Sequence, residues 1–384
     1  MPVLVILMEL TPEDALRINV LLAGSLKAVR IDESSMTLYA LSDKGEARVR
    51  LNPNCRDEAY LRGVRETLSS HVLGSPGGYP VYLKRWTRMG QARDETLESL
   101  LLLGEPEAVV AVVNASGITD ELASRAWWAS QTSENARCML AQEQVVAGKM
   151  GPVLADFLVE FLPFEEDACD QIKSVRLVLQ GDLIDHDVKM KLWERGKNRN
   201  AFYVGFLQAQ PDSLPEQGDA NPAWKELQVK LAKLVEAGNP FARQLCRLLG
   251  PSGQTWLAGV GSVLEKPSNQ DVVVELLHAI ADYSCLLETG SERRTDIDTI
   301  FSVADGQIDG RLQVAGDTGN WLESLVSTVP DTLPKIRAML FLSMLNEPVV
   351  DPVFSRTDAI GTVMRKKMKP VSEPIQQQIE ILTT

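Results

Sequence analysis

Three histidines, His71, His186 and His278, are all this chain offers for imidazole chemistry. Nucleophilic catalysis by a Ser-His-Asp or Cys-His system needs a histidine within hydrogen-bond reach of its nucleophile. His278 shares a helical face with Ala281 and Cys285. Seven residues of helix separate His278 from Cys285 by about 10 Å, which is too far for that bond. A packed core histidine is the simpler reading. His186 lies in Asp182-Leu-Ile-Asp-His-Asp187, and on one helix Asp182 and His186 would sit a turn apart and could share a metal. Two ligands do not complete a site, and acids early in a helix are accounted for by its dipole. Asp305-Gly-Gln-Ile-Asp309-Gly310 starts like a calcium loop, but Gln307 stands third and Gly316 twelfth, where the loop needs an acid or Asn and then Glu. A hairpin turn is expected there. No catalytic, cofactor-binding or metal-ligating set emerges, and no cofactor is expected.

Charge and aromatic residues offer more than catalysis does. The loop Gly74-Ser-Pro-Gly-Gly78 has the glycines of a phosphate loop without the Gly-Lys-Ser/Thr that completes one. It leads to Lys84, Arg85, Arg88 and Arg93 around Trp86. Four cations about an indole, beside flexible backbone donors, could hold an anion, and they form the anion-binding candidate. The plainer alternative pairs them with Asp94, Glu95 or acids elsewhere. Arg365-Lys-Lys-Met-Lys369 is the densest basic run and could touch nucleic acid or an acidic partner, with a solvated tail as the default. Trp127 and Trp128 adjoin on an expected helix and point about 100° apart. They form the partner-surface candidate, since tryptophan is enriched at interfaces. Core packing of both is the plainer reading.

The elements that must carry these residues can be read from patterning. Thr11-Pro-Glu-Asp14 opens a helix with a cap, an N-terminal proline and dipole-matching acids. Three extended runs follow, Lys27–Asp32, Met36–Leu41 and Glu46–Leu51, with a hairpin at Asp43-Lys-Gly45. Ala47, Val49 and Leu51 alternate with Arg48 and Arg50, so one face is buried and one wet. A helix spans about Asp57–Val72, and Val81–Trp86 could add a strand. From about residue 91, short amphipathic segments succeed one another: Glu95–Leu103, Glu107–Val113, Asp120–Trp128, Val153–Leu162, Cys169–Leu179, Trp224–Val235, Val272–Leu287, Leu322–Val326 and Lys335–Leu345. No strict repeat emerges. The fold class expected is mainly α: a small N-terminal α+β subdomain with a short antiparallel sheet, then an irregular array of short antiparallel helices. The domains expected are 8–90, 91–211 and 222–384, with Asp212–Pro222 as linker and a hairpin near 300–315.

Composition narrows the partners. The chain of 384 residues carries a formal net charge of −13, so phosphate backbones and anionic lipids repel it on average. Nucleic-acid binding is possible only through a local basic patch. Five widely spaced cysteines form no CxxC and read as reduced, mostly buried thiols of a soluble cytoplasmic protein. No stretch approaches a membrane span, the apolar Met1–Leu7 is too short for a signal peptide, and Met8 reads as an alternative start.

Several runs together resemble the DsrS family. These runs are Leu51-Asn-Pro-Asn-Cys-Arg-Asp-Glu58, Gly74-Ser-Pro-Gly-Gly-Tyr-Pro-Val-Tyr-Leu-Lys-Arg-Trp-Thr-Arg-Met-Gly90, Leu103-Gly-Glu-Pro-Glu-Ala-Val-Val110 and Thr119-Asp-Glu-Leu-Ala-Ser-Arg-Ala-Trp-Trp128. The resemblance starts near Met8 and weakens toward the C-terminus. It implies a cytoplasmic accessory protein of the dissimilatory sulfite reductase system in sulfur-oxidising bacteria, and it supplies no catalytic residue. The function expected is a non-enzymatic accessory or regulatory role through a protein partner. The alternatives are a nucleic-acid-contacting regulator, or an enzyme or small-anion binder built on Gly74–Arg93.

Overall fold

The computed structural model describes residues 10–74, 94–284, 296–311, 318–355 and 361–384. It is 69% helical, with 20 helices and one small three-stranded antiparallel sheet near the N-terminus among these residues. The expected class, mainly α with a small N-terminal α+β part, is the one observed. No helix among the described residues is long and apolar enough to cross a membrane. The chain divides into two compact units, Met1–Phe161 and Leu162–Thr384.

In the first unit, α1 (Pro12–Leu22) begins where the Thr11 hydroxyl accepts the Asp14 N–H and Pro12 fills the first turn. Strands β1 (Leu26–Asp32), β2 (Thr37–Ser42) and β3 (Gly45–Arg50) follow, in the order β1-β2-β3. Ser42 stands opposite Gly45, so Asp43 and Lys44 alone make the turn between β2 and β3. Side-chain alternation sorts the two faces. Val29, Leu38, Ala40 and Val49 pack against Ile18 of α1 and against Tyr60, Val64 and Leu68 of α2 (Asp57–Leu73). The other face carries the cross-strand row Arg30, Tyr39 and Arg48. The outer edge of β1 is closed, because Val29 N–H donates to Leu101 O at 2.8 Å. The rest of the unit is α3 (Asp94–Leu100), α4 (Pro106–Val113), α5 (Asp120–Ala129), α6 (Ser133–Leu140), α7 (Glu143–Val146) and α8 (Met150–Phe161).

The second unit is helical throughout its described residues. It contains α9 (Ala168–Val178), α10 (His186–Gly196), α11 (Asn200–Ala209), α12 (Trp224–Glu236), α13 (Pro240–Leu249) and α14 (Pro251–Glu265). Then come α15 (Gln270–Tyr283), α16 (Ile297–Ile308), α17 (Thr318–Thr328), α18 (Leu333–Ser343), α19 (Asp351–Phe354) and α20 (Gly361–Thr383). α11 is buried on every side from Ala201 to Leu207, as a helix apolar all round should be. Gly205 lets α9 lie close to it, since a Cβ there would stand 2.7 Å from Val175 Cβ.

The structure departs from the sequence reading at three places in this unit. The expected hairpin near 300–315 is instead α16, a helix. Ile297, Ile300 and Ala304 recur at helical spacing, Asp296 caps the start by accepting Thr299 N–H at 3.0 Å, and Phe301 stacks on Phe341. Asp309-Gly310 ends the helix rather than turning a hairpin, with Gly310 at φ +68°. The segment 212–222 does not separate domains, and the chain divides after Phe161 instead. Arg247 grips both Asp212 oxygens at 2.8 and 2.7 Å, and buried Asn221 donates to Leu382 O at 3.0 Å. Its polar residues, which read as linker composition, are its anchors. The basic run 365–369 is not a solvated tail but part of α20, where Met364, Met368, Val371, Ile375 and Leu382 bury one stripe. Pro370 and Pro374 stand inside the helix, where each removes a backbone bond, and packing of that stripe offsets them. The expected strand at 81–86 lies outside the described residues.

Candidate functional site

The anion-binding candidate Lys84, Arg85, Arg88 and Arg93 lies outside the described residues, as does Cys285. The tryptophan pair divides. Trp127 is buried and meets Phe157 edge-on at 4.7 Å. Trp128 is half-buried and turns to the wet face of the sheet, where its indole lies 4.8 Å from the Arg30 guanidinium. Arg30 is thus sandwiched, with the Tyr39 ring 4.6 Å away on β2. Glu46 completes the cluster: its Oε2 lies 3.1 Å from Arg30 Nη2 and accepts Trp128 Nε1–H at 3.0 Å. Trp128 thus packs on an internal cation and keeps part of its surface exposed.

Beside that cluster lies a groove of about 1160 Å³. Its walls are the turn 34–37 between β1 and β2, the wet-face residues Tyr39, Arg48 and Arg50, and the segment 51–53 with Asp57 at the start of α2. Strand alternation puts Arg48 and Arg50 on one face. Arg30 and Trp128 hold Glu46 through its Oε2. Neither Arg48 nor Arg50 forms an ion pair or side-chain hydrogen bond among the described residues, and both are exposed. The turn is fixed by Asp32, which accepts the N–H and hydroxyl of both Ser34 and Ser35. Those bonds, the Ser34 hydroxyl first, hold its carboxyl down to about 2. Met36 takes a left-handed conformation, φ +47°, which brings its carbonyl onto Leu51 N–H at 2.8 Å. The far wall is pinned from α1: Asp14, fully buried, accepts Asn52 N–H at 2.7 Å and the Tyr60 hydroxyl at 2.5 Å.

The sequence showed Arg48 and Arg50 as alternating residues on a wet face, but not that the face is concave or that Glu46 turns to Arg30 and Trp128. A second pocket, of about 350 Å³, lies in the other unit between Arg195, Arg199 and Phe202. Its signal was the run Lys189–Arg199, whose five cations the sequence reading passed over.

The groups considered for catalysis stand apart. His278 is not a packed core histidine: 45% of its side chain is exposed, 3.7 Å from Glu275 and 3.6 Å from Glu347. His186 opens α10 and Asp182 lies before it, so the two never share a helix. No group of three potential metal ligands occurs among the described residues. Cys55, Cys138, Cys169 and Cys246 are half-buried rather than buried. Burial, with Asp271, Asp167 and Glu275 adding to it, pushes the Cys169 thiol up to about 11, and burial also raises Cys246. Thiols shifted this way are poor nucleophiles near neutral pH.

Compared with protein-family models, curated proteins and solved structures, this chain matches none.

Proposed function

We propose that this chain is a non-enzymatic accessory or regulatory protein that works by binding a protein partner through the groove of its first unit. One observation carries the reading: Arg48 and Arg50 lie exposed, and unpaired among the described residues, in a concave surface of a chain whose net charge is −13. Acids outnumber bases overall, so a local pair of unneutralised guanidiniums focuses attraction for an acidic surface that the rest of the molecule repels. Guanidiniums also bind carboxylates bidentately, which gives direction as well as charge. From the resemblance to DsrS proteins, we place the partner in the sulfur-oxidation system.

The test compares the intact chain with R48E/R50E as baits in extract from sulfur-grown cells. At least one protein should be retained by the first and lost by the second. Identical profiles would refute the groove as the contact face.

A second reading draws on α20. Arg365, Lys366, Lys367 and Lys369 are held on its first turns around buried Met364 and Met368; Lys369 pairs with Glu373 at 2.9 Å and Arg365 donates to Thr362 Oγ1 at 3.2 Å. This ordered basic face supports a nucleic-acid contact. Such binding would weaken steeply with salt in a gel-shift assay, and no shift at low salt would end it.

A further inference from the structure

We infer that the outer edge of β3, whose Arg48 and Arg50 side chains line the groove, takes an extended acidic segment of a partner protein, added antiparallel as a fourth strand. The inference rests on the partner-binding reading above. Among the described residues β3 is an outer strand, paired only with β2. A two-residue turn makes Ser42 and Gly45 a hydrogen-bonded pair. Bonded and unbonded pairs then alternate along the ladder. Ala40–Ala47 and Leu38–Val49 are therefore bonded, while Glu46, Arg48 and Arg50 turn their N–H and C=O groups away from β2. No described residue outside the ladder bonds to the backbone of those three. All of β3 except Val49 is exposed. Such a row of free donors and acceptors is a template for strand addition.

Charge selects the occupant. An added antiparallel strand sets its residues about 4.5–5.5 Å from those of β3 on the same face. Acids at alternate positions would then meet Arg48 and Arg50 together, because both periods are two residues. Glu46, on the same face, turns to Arg30 and Trp128 through its Oε2. A second copy of this chain is the competing occupant: pairing β3 with β3 about Arg48 puts arginine opposite arginine, which is destabilising, but also Glu46 opposite Arg50 at both ends. The charges that discourage self-pairing are those an acidic strand would neutralise.

The test is fluorescence polarisation on the full chain with a labelled peptide of alternating Glu and Val. Two isomers accompany it, N-methylated at every Glu or at every Val. Residues opposite Arg48 and Arg50 bond to β3 through their own N–H, so the Glu-methylated isomer should not bind and the Val-methylated one should. R48E/R50E should weaken the parent peptide at least about tenfold, with the milder R48Q/R50Q in between. Equal binding of the two isomers, or the reverse order, would overturn antiparallel addition even where the groove still binds anions. A dimer of this chain that R48E/R50E dissociates would overturn it in favour of a second copy. No peptide binding, while extract capture still depends on Arg48 and Arg50, would refute the strand occupant and leave the contact face standing.

Discussion

Replacing Asp14 by Ala should loosen the whole first unit, and the structure sets the size of the effect. Asp14 has no solvent exposure and ties α1 to the segment 51–57 and to α2 at once. Removing its carboxylate strands the Asn52 N–H, which has no other acceptor among the described residues. The Tyr60 hydroxyl keeps a bond with Thr11 Oγ1 at 3.0 Å, so its loss is partial. A hydrogen bond to a charged group contributes about 1.5–3 kcal/mol, and a stranded buried donor costs on the same scale, so the sum is about 2–4 kcal/mol. For a unit of this size that is a fall of about 5–15 °C in its melting transition. Calorimetry reads the fall, and hydrogen exchange at α1 and β3 assigns it to this unit.

The same residue predicts a pH dependence. Burial by itself would raise the Asp14 pKa, but hydrogen bonds from Asn52 N–H, Tyr60, Thr11 and the Asn52 side chain outweigh it and lower the value below 3.8. A lowered carboxyl contributes stability above its unfolded pKa and loses it as pH falls through the folded one. The gap between the intact chain and D14A should hold steady above about pH 5 and narrow below about pH 4. A fall under about 2 °C, or a gap independent of pH, would refute the role given to Asp14.

Three further outcomes follow from the second unit. Gly205→Ala should destabilise it by about 1–3 kcal/mol, read in chemical denaturation, because the added Cβ meets the buried Val175 side chain and lies 3.1 Å from Ile172 O. Arg247→Ala should make 212–222 a site of early proteolytic cleavage. It removes the Asp212 pair, a 2.8 Å bond to Tyr283 O and a guanidinium 3.7 Å over the Tyr283 ring. Alkylation of Cys169, followed by peptide mass spectrometry, should stay slow at neutral pH and climb steadily past pH 9, since its thiol ionises only near 11.

How much of this was legible depended on whether the information was local. The sheet was, because β2 and β3 alternate and a two-residue turn fixes their register. α1 was, from Thr11, Pro12 and the acids that follow. α16 was misread because Asp305-Gly306 and Asp309-Gly310 are turn signals that helical packing of Ile297, Ile300 and Phe301 overrides at the first and uses as a stop at the second. α20 was hidden by its basic run, which reads as a tail until the stripe of Met364, Met368, Val371 and Ile375 is seen to be buried. At the site, the exposure of Arg48 and Arg50 could be read from strand period. That Glu46, on the same face, turns to Arg30 and Trp128 could not, because Trp128 stands 82 residues beyond it in sequence. Asp14 read as a dipole-matching acid and proved to be a buried anchor, since its partners Asn52 and Tyr60 are 38 and 46 residues away.

The contact face itself is tested most directly by hydrogen–deuterium exchange of the full chain with and without the alternating Glu-Val peptide. The account predicts slowed exchange confined to residues 34–57, strongest at the outward amides of Glu46, Arg48 and Arg50, and absent in R48E/R50E. Slowed exchange at 195–199 or 365–369, with 34–57 unchanged, would contradict it.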